Sequence, residues 1–137
     1  KYLKLLGVIS EFRIASAHKT PKQVLDIIVD LEKEKIVYIT VAGRSNALSA
    51  FVDANSSKPV IACPPYSEKF SGADIYSSLR VPSGIGTVVT IEPEGAAIAA
   101  AKILALEEKT IRNLVTKHQL AKKKILEQAN KKISKLK

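Results

Sequence analysis

Ile36-Val37-Tyr38-Ile39-Thr40-Val41-Ala42-Gly43-Arg44-Ser45-Asn46-Ala47-Leu48-Ser49 is the stretch on which the fold turns. Its first seven residues are β-branched or apolar almost without a break, as in a strand covered on both faces. Gly43-Arg44-Ser45-Asn46 ends the run, and a helix is predicted from about Ala47 to Ala54. A strand that passes through a short loop into a helix is one half of a β-α-β crossover, which implies a parallel sheet.

Outward from this stretch the same alternation repeats. Upstream, Glu11-Phe12-Arg13-Ile14-Ala15 reads as a short alternating strand. Thr20-Pro21 then opens a helix. Thr20 suits the N-cap, and Pro21 suits the first helical position, where a missing N–H costs nothing. Val24, Ile27, Ile28 and Leu31 follow at helical spacing and give that helix one apolar face. Downstream, Pro59 to Cys63 reads as a strand stopped by Pro64-Pro65, and Thr87 to Ile91 as another. Between them lie Ser71-Gly72-Ala73-Asp74 and a short helix through Tyr76 and Leu79. Pro93 opens an alanine-rich helix over Gly95–Leu106, and the chain from Glu108 to Lys137 reads as one long helix. That helix carries an apolar stripe of Ile111, Leu114, Val115, Ile125, Ala129 and Ile133. The stripe can face the sheet, a neighbouring subunit or partly solvent. The predicted fold class is α/β: a three-layer open parallel sheet of the flavodoxin/Rossmann-like kind, with a long C-terminal helix and right-handed crossovers. In such sheets a ligand sits beyond the carboxyl ends of the strands, which selects the loops at 16–20, 43–46 and 63–72.

Composition narrows the function classes. The chain has 137 residues, of a size for one domain, and 46% are hydrophobic. No apolar run approaches the roughly 18 residues of a membrane span, and no signal-peptide pattern opens the chain. The single cysteine, Cys63, has no partner for an internal disulfide, so a reducing compartment, the cytoplasm, is expected. The net charge of +9 is unevenly placed. Residues 1–101 hold 11 basic and 10 acidic side chains, whereas residues 102–137 hold 11 and 3. A basic helix can bind nucleic acid or anionic lipid, but it is as readily a solvated face, and this one has no aromatic residue for base stacking. Neither a nucleic-acid nor a membrane partner is expected. There is no methionine, and Lys1-Tyr2-Leu3-Lys4-Leu5-Leu6 reads as the end of a helix stopped at Gly7. A chain missing its N-terminal part is the expectation.

Three loops hold the candidate chemistry. His18 lies between a strand and a helix at the ligand edge, where an imidazole can take and return a proton. It can equally do no more than hydrogen-bond its loop. Ser16 and Lys19 flank it with a hydroxyl and a cation, suited to a polar or anionic ligand, although Ser16 can also cap the turn. In the second loop Gly43 lets backbone approach a ligand, and the amides at the following helix start favour negative charge. Ser45 or Asn46 can instead serve only as the helix cap. Pro64-Pro65 and Pro82-Ser83-Gly84-Ile85-Gly86 are constrained loops. Cys63 reads as a buried core residue, and His118 as a solvated residue among lysines. Two isolated histidines and one cysteine have no metal-ligand spacing, so no metal is expected, and no Walker or Gly-x-Gly-x-x-Gly string is present.

Taken in order, four strings closely resemble the phosphoribosylaminoimidazole carboxylase family. They are Ser16-Ala17-His18-Lys19-Thr20-Pro21, Val41 to Ser49, Ala62-Cys63-Pro64-Pro65 and Asp74 to Gly86. The likeness runs from residue 1 to about 107 and divides the chain into an α/β carboxylase domain, 1–107, and a basic helix, 108–137, that is part of it or a subunit-packing arm. The family has two classes on one fold. Class I is a mutase that moves a carboxyl group within an N-carboxylated nucleotide. Class II joins free CO2 to 5-aminoimidazole ribonucleotide (AIR). Lys19 and Gly43-Arg44-Ser45-Asn46 resemble class II, where class I has an arginine and a Gly-Gly-Ala-type string. The resemblance implies AIR and CO2 as substrates, His18 as the proton acceptor, and Ser16, Ala17, Lys19, Gly43, Arg44, Ser45 and Asn46 around CO2 and the nucleotide. It also implies no cofactor and a homo-octamer, with the alanine-rich helix packed between subunits. Family members begin with a central strand and a Gly-Ser-x-Ser-Asp loop for the phosphate and ribose. This sequence has neither, which makes an inactive truncated scaffold one alternative; a class I mutase is the other.

Overall fold

In the computed structural model, which describes residues 1–136, three parallel strands form one open sheet. They are β1 (Tyr38–Thr40), β2 (Val60–Ala62) and β3 (Val88–Val89), in that spatial order. Tyr38 stands opposite Val60 and Thr40 opposite Ala62, while Ile61 and Ala62 stand opposite Val88 and Val89. The ladder runs a residue past the strands: Cys63 N–H donates to Thr40 O at 2.8 Å and Thr90 N–H to Ala62 O at 2.9 Å. The strands are shorter than the apolar runs that predict them, because ladder bonds form only where neighbours overlap in register.

Helices cover both faces, as the period-2 alternation of β2 requires. On one side Val60 packs against Val24 and Ile28 of α2 (Pro21–Leu31) and Val52 of α3 (Ala47–Ala54). On the other, Ile61 and Cys63 pack against Ala96 and Ala100 of α5 (Pro93–Leu104), with Leu3 of α1 (Tyr2–Leu5) alongside. Leu6, Ala101 and Val115 join α1 and α5 to α6 (Lys109–Ile133). The short α4 (Tyr76–Leu79) follows two turns of 3-10 helix at 68–70 and 73–75. The alanines of α5 are thus buried inside the chain, where small side chains let the sheet and two helices approach.

Side-chain ties fix which loops share an edge. Glu32, just past α2, accepts from Ser56 Oγ at 2.8 Å and Ser57 N–H at 3.0 Å, and both serines precede β2. Asp53 accepts from Gly86 N–H at 2.8 Å, just ahead of β3. The C-terminal ends of α2 and α3 therefore lie at the amino edge of the sheet. The start of α2, with residues 16–20 before it, lies at the carboxyl edge beside the loops that follow β1 and β2.

Two expectations fail. Residues 11–15 form no strand. Ile9, Phe12 and Ile14 are exposed, at 98%, 86% and 92%. Across from them a cleft of about 590 Å³, lined by Ile9, Phe12, Ile14, Ile28, Val37 and Ile39 among others, separates the segment from β1. A strand persists only where its N–H and C=O groups find a ladder, and none reaches this segment. Among the described residues the outer edge of β1 likewise has no strand partner. His118, read as solvated, is largely covered: its ring meets Tyr2 edge-on, and Nε2 lies 3.8 Å from Glu94, which Lys122 approaches to 3.2 Å. One turn of α6 brings these groups onto α1 and α5. Beyond it the helix leaves the body, and Ile125, Leu126 and Ile133 are exposed. No described helix is long and apolar enough to cross a membrane.

Two outcomes follow from this packing. Gly7 ends α1 at φ +74°, and an added Cβ would stand 2.7 Å from Leu114 Cδ1. Gly7→Ala should cost about 1–2 kcal/mol, since left-handed backbone penalises a Cβ, read as a lower denaturant midpoint. Glu32 is held down to about 2, chiefly by the Ser57 hydroxyl and amide and then Ser56. Its folded value lies below its unfolded one, so its contribution is complete above about 4.5 and is lost as pH falls towards about 2. Glu32→Gln should therefore lower the melting temperature near pH 7, and the difference from wild type should shrink steadily below pH 4.5.

Candidate active site

The 16–20 turn closes on itself. Thr20 N–H donates to Ser16 O at 2.8 Å, Ser16 N–H to Thr20 Oγ1 at 2.9 Å, and Lys19 N–H to Ser16 Oγ at 3.2 Å. Thr20 holds the N-cap position of α2, with Pro21 in its first turn, but its hydroxyl ties back to Ser16 rather than to the helix. The result is a small loop whose tip, His18-Lys19, is exposed, with Ser16 and Ala17 half-buried beneath it. No hydrogen bond joins either tip side chain to the rest of the described chain, so neither is committed to a structural role.

The 43–46 turn is held far more tightly. Asn46 is buried at 4% exposure and caps α3: its Oδ1 accepts from Ser49 N–H at 3.2 Å and Ser49 Oγ at 2.8 Å. Its Nδ2 donates to Ser78 Oγ at 2.9 Å, and Thr40 Oγ1 donates to Ser49 Oγ at 2.9 Å. The end of β1, the start of α3 and α4 are thereby joined through buried, satisfied polar groups, the condition under which such a network stiffens a site. Arg44 has φ +61°, a left-handed conformation costing an ordinary side chain roughly 1–2 kcal/mol. Gly43 packs against Pro65 and Asp74: a Cβ there would lie in ordinary contact with Pro65 Cγ at 3.4 Å and Asp74 Oδ2 at 3.6 Å. Asp74 Oδ2 accepts from Arg44 N–H at 3.0 Å, and Ser77 Oγ accepts from Asn46 N–H at 3.0 Å.

Of the residues picked out by the sequence, Gly43, Arg44, Ser45 and Asn46 are gathered with Pro65 into one built turn. Ser16, Ala17, His18 and Lys19 form a second turn on the same edge, and among the described residues no hydrogen bond links the two. Asp74, Ser77, Ser78 and Ser49 were not picked out for any role. The signal of Asp74, Ser77 and Ser78 was present as turn chemistry in Asp74-Ile75-Tyr76-Ser77-Ser78, but their partners Arg44 and Asn46 lie about thirty residues away and no local rule names them; Ser49 bonds Asn46 three residues before it. Cys63 is buried, and burial pushes its thiol up, as fits a core residue. Among the described residues no three His, Cys, Asp or Glu side chains converge as metal ligands.

The resemblance is matched by comparison with known proteins. The family model for AIR carboxylase matches residues 1–125. Phosphoribosylaminoimidazole carboxylase of Archaeoglobus fulgidus is 55% identical over 127 residues, spanning 93% of this chain and 71% of that protein. The Treponema denticola enzyme of the same name is 47% identical, spanning 94% of this chain and 83% of that protein. A crystal structure of Treponema denticola PurE superposes with a TM-score of 0.89 at 46% identity, covering 95% of this chain and 84% of that one. With its open parallel sheet and its ordered edge loops, the chain belongs to the AIR carboxylase family and is an enzyme of purine biosynthesis.

Proposed function

We propose that the chain performs the class II reaction, joining free CO2 to AIR to form 4-carboxy-5-aminoimidazole ribonucleotide. The observation that carries this reading is the pair of turns at one sheet edge. One presents His18 and Lys19 uncommitted, and the other holds Gly43-Arg44-Ser45 rigid beside them.

The aminoimidazole ring is an enamine, so C4 is the nucleophile and the carbon of CO2 the electrophile. A C–C bond forms while one C=O π pair moves onto oxygen, leaving a carboxylate and a cationic ring. Loss of the C4 proton restores the ring, and His18 takes that proton, returning it in the reverse direction. Lys19 and Ser16, with Ala17 between them, hold CO2 and the nucleotide. Gly43, Arg44, Ser45 and Asn46 orient the carboxylate, with the Ser45 backbone N–H set where negative charge develops. These groups suffice without a metal or an organic cofactor. Lys19, in place of arginine, and Gly43-Arg44-Ser45-Asn46 favour class II over the mutase.

The same reading places the enzyme in the cytoplasm as a homo-octamer. The exposed apolar residues of the outer part of α6, Ile125, Leu126 and Ile133, supply a subunit-packing arm at 108–137 beyond the 1–107 domain. The basic residues of that arm are its solvated side, with no nucleic-acid or membrane partner.

Two measurements test the chemistry in the full-length protein. His18→Asn should lower the rate of AIR consumption under saturating CO2 by about 10²–10⁴-fold, the usual range for a lost general base, with the fold intact by circular dichroism. Unchanged rates would remove His18 from the mechanism. Wild type should also consume AIR in proportion to dissolved CO2 and leave the N-carboxy isomer untouched. Consumption of that isomer without CO2 would make the enzyme a mutase.

A further inference from the structure

We infer that Asp74 is a positioning residue for the reaction, and that it acts by setting the backbone of the 43–46 turn. The inference rests on the function proposed above. It starts from Arg44, one of two non-glycine residues with positive φ among those described. Nothing local favours that conformation for an arginine, so something outside the turn must hold it. The Asp74 carboxylate does so, accepting the Arg44 N–H at 3.0 Å across thirty residues of sequence.

The clamp has a second jaw. Ser77 Oγ donates to Asp74 O at 2.8 Å and accepts from Asn46 N–H at 3.0 Å. The amides of residues 44 and 46 are therefore both bonded to the 74–77 segment. The Ser45 N–H between them has no acceptor among the described residues. Behind the turn, Asn46 is locked to Ser49 and Ser78. A backbone N–H held free by bonds on either side is the donor that a forming carboxylate needs, and its orientation costs nothing at the moment of reaction. Asp74 is thus useful as a hydrogen-bond acceptor, and its negative charge is incidental. Asn at this position keeps an acceptor oxygen, whereas Ala removes it.

The discriminating experiment compares Asp74→Ala, Asp74→Asn and Ser77→Ala in the full-length protein. It reads carboxylation kinetics, thermal midpoint, and hydrogen-exchange protection of the Arg44 amide. Asp74→Ala should lower kcat/KM for CO2 by about 10- to 100-fold, the scale of a small misplacement of reacting groups, and abolish protection at Arg44. KM for the nucleotide should stay within about threefold. Asp74→Asn should restore both rate and protection to within about threefold of wild type. Ser77→Ala should give a smaller loss of the same kind, and it carries the test if the alanine variant at 74 does not fold. Wild-type rates with Asp74→Ala, or equal losses in the Ala and Asn variants, would overturn the inference, as would a loss that merely tracks the thermal midpoint. If wild type itself fails to carboxylate AIR, the proposed function fails. Arg44 protection then still decides whether the clamp exists.

Discussion

The parallel ladder on either side of β2 is the constraint from which the rest of the molecule follows. Val60, Ile61 and Ala62 are all buried, and every backbone group they carry must find a partner without water. β1 and β3 provide those partners, and parallel pairing forces each connection to cross over a face. Alternation along β2 then assigns the faces: Val60 belongs to α2 and α3, and Ile61 and Cys63 to α5. Each crossover leaves the carboxyl edge through a strand-to-helix loop and returns to the amino edge, so the loops that can meet a ligand gather at the carboxyl edge. That is where the His18 turn and the Arg44 turn lie.

The two turns are built on different principles. The 16–20 turn is local, closed by Ser16 and Thr20 four residues apart, and its exposed tip is left to meet a ligand. The 43–46 turn is set from a distance. Thr40, Ser49, Asn46 and Ser78 form one buried polar chain, and Asp74 holds a conformation that Arg44 would not choose alone. An exposed, unpaired tip suits a group that carries a proton, while fixed amides suit the stabilisation of charge, since preorganised donors need no rearrangement.

Much of the fold was legible because each element obeys a local rule. Pro21 and Pro93 stand in the first turns of α2 and α5, Gly7 stands just past α1, and Asn46 caps α3. The failures share one physical cause. Residues 11–15 have a strand's alternation, but alternation does not supply a neighbour, and the segment lies across a cleft from β1 with its apolar side chains in the open. His118 sits among lysines in sequence, yet the turn of α6 places it against Tyr2 and Glu94.

By itself the sequence determined the parallel α/β architecture, the order of the loops, the candidate residues at 16–19 and 43–46 and, through four ordered strings, the AIR carboxylase resemblance that the comparisons matched. Those are properties of neighbouring residues, expressed in periodicity, capping and turn chemistry. Only the tertiary structure decided that Asp74 and Ser77 grip the amides on either side of Ser45, that Asn46 is bonded to Ser78 as well as to its own helix, and that residues 11–15 are left without a ladder. Each of these depends on which distant backbone comes within about 3 Å, the reach of a hydrogen bond. Packing sets that distance, and no spacing along the chain records it.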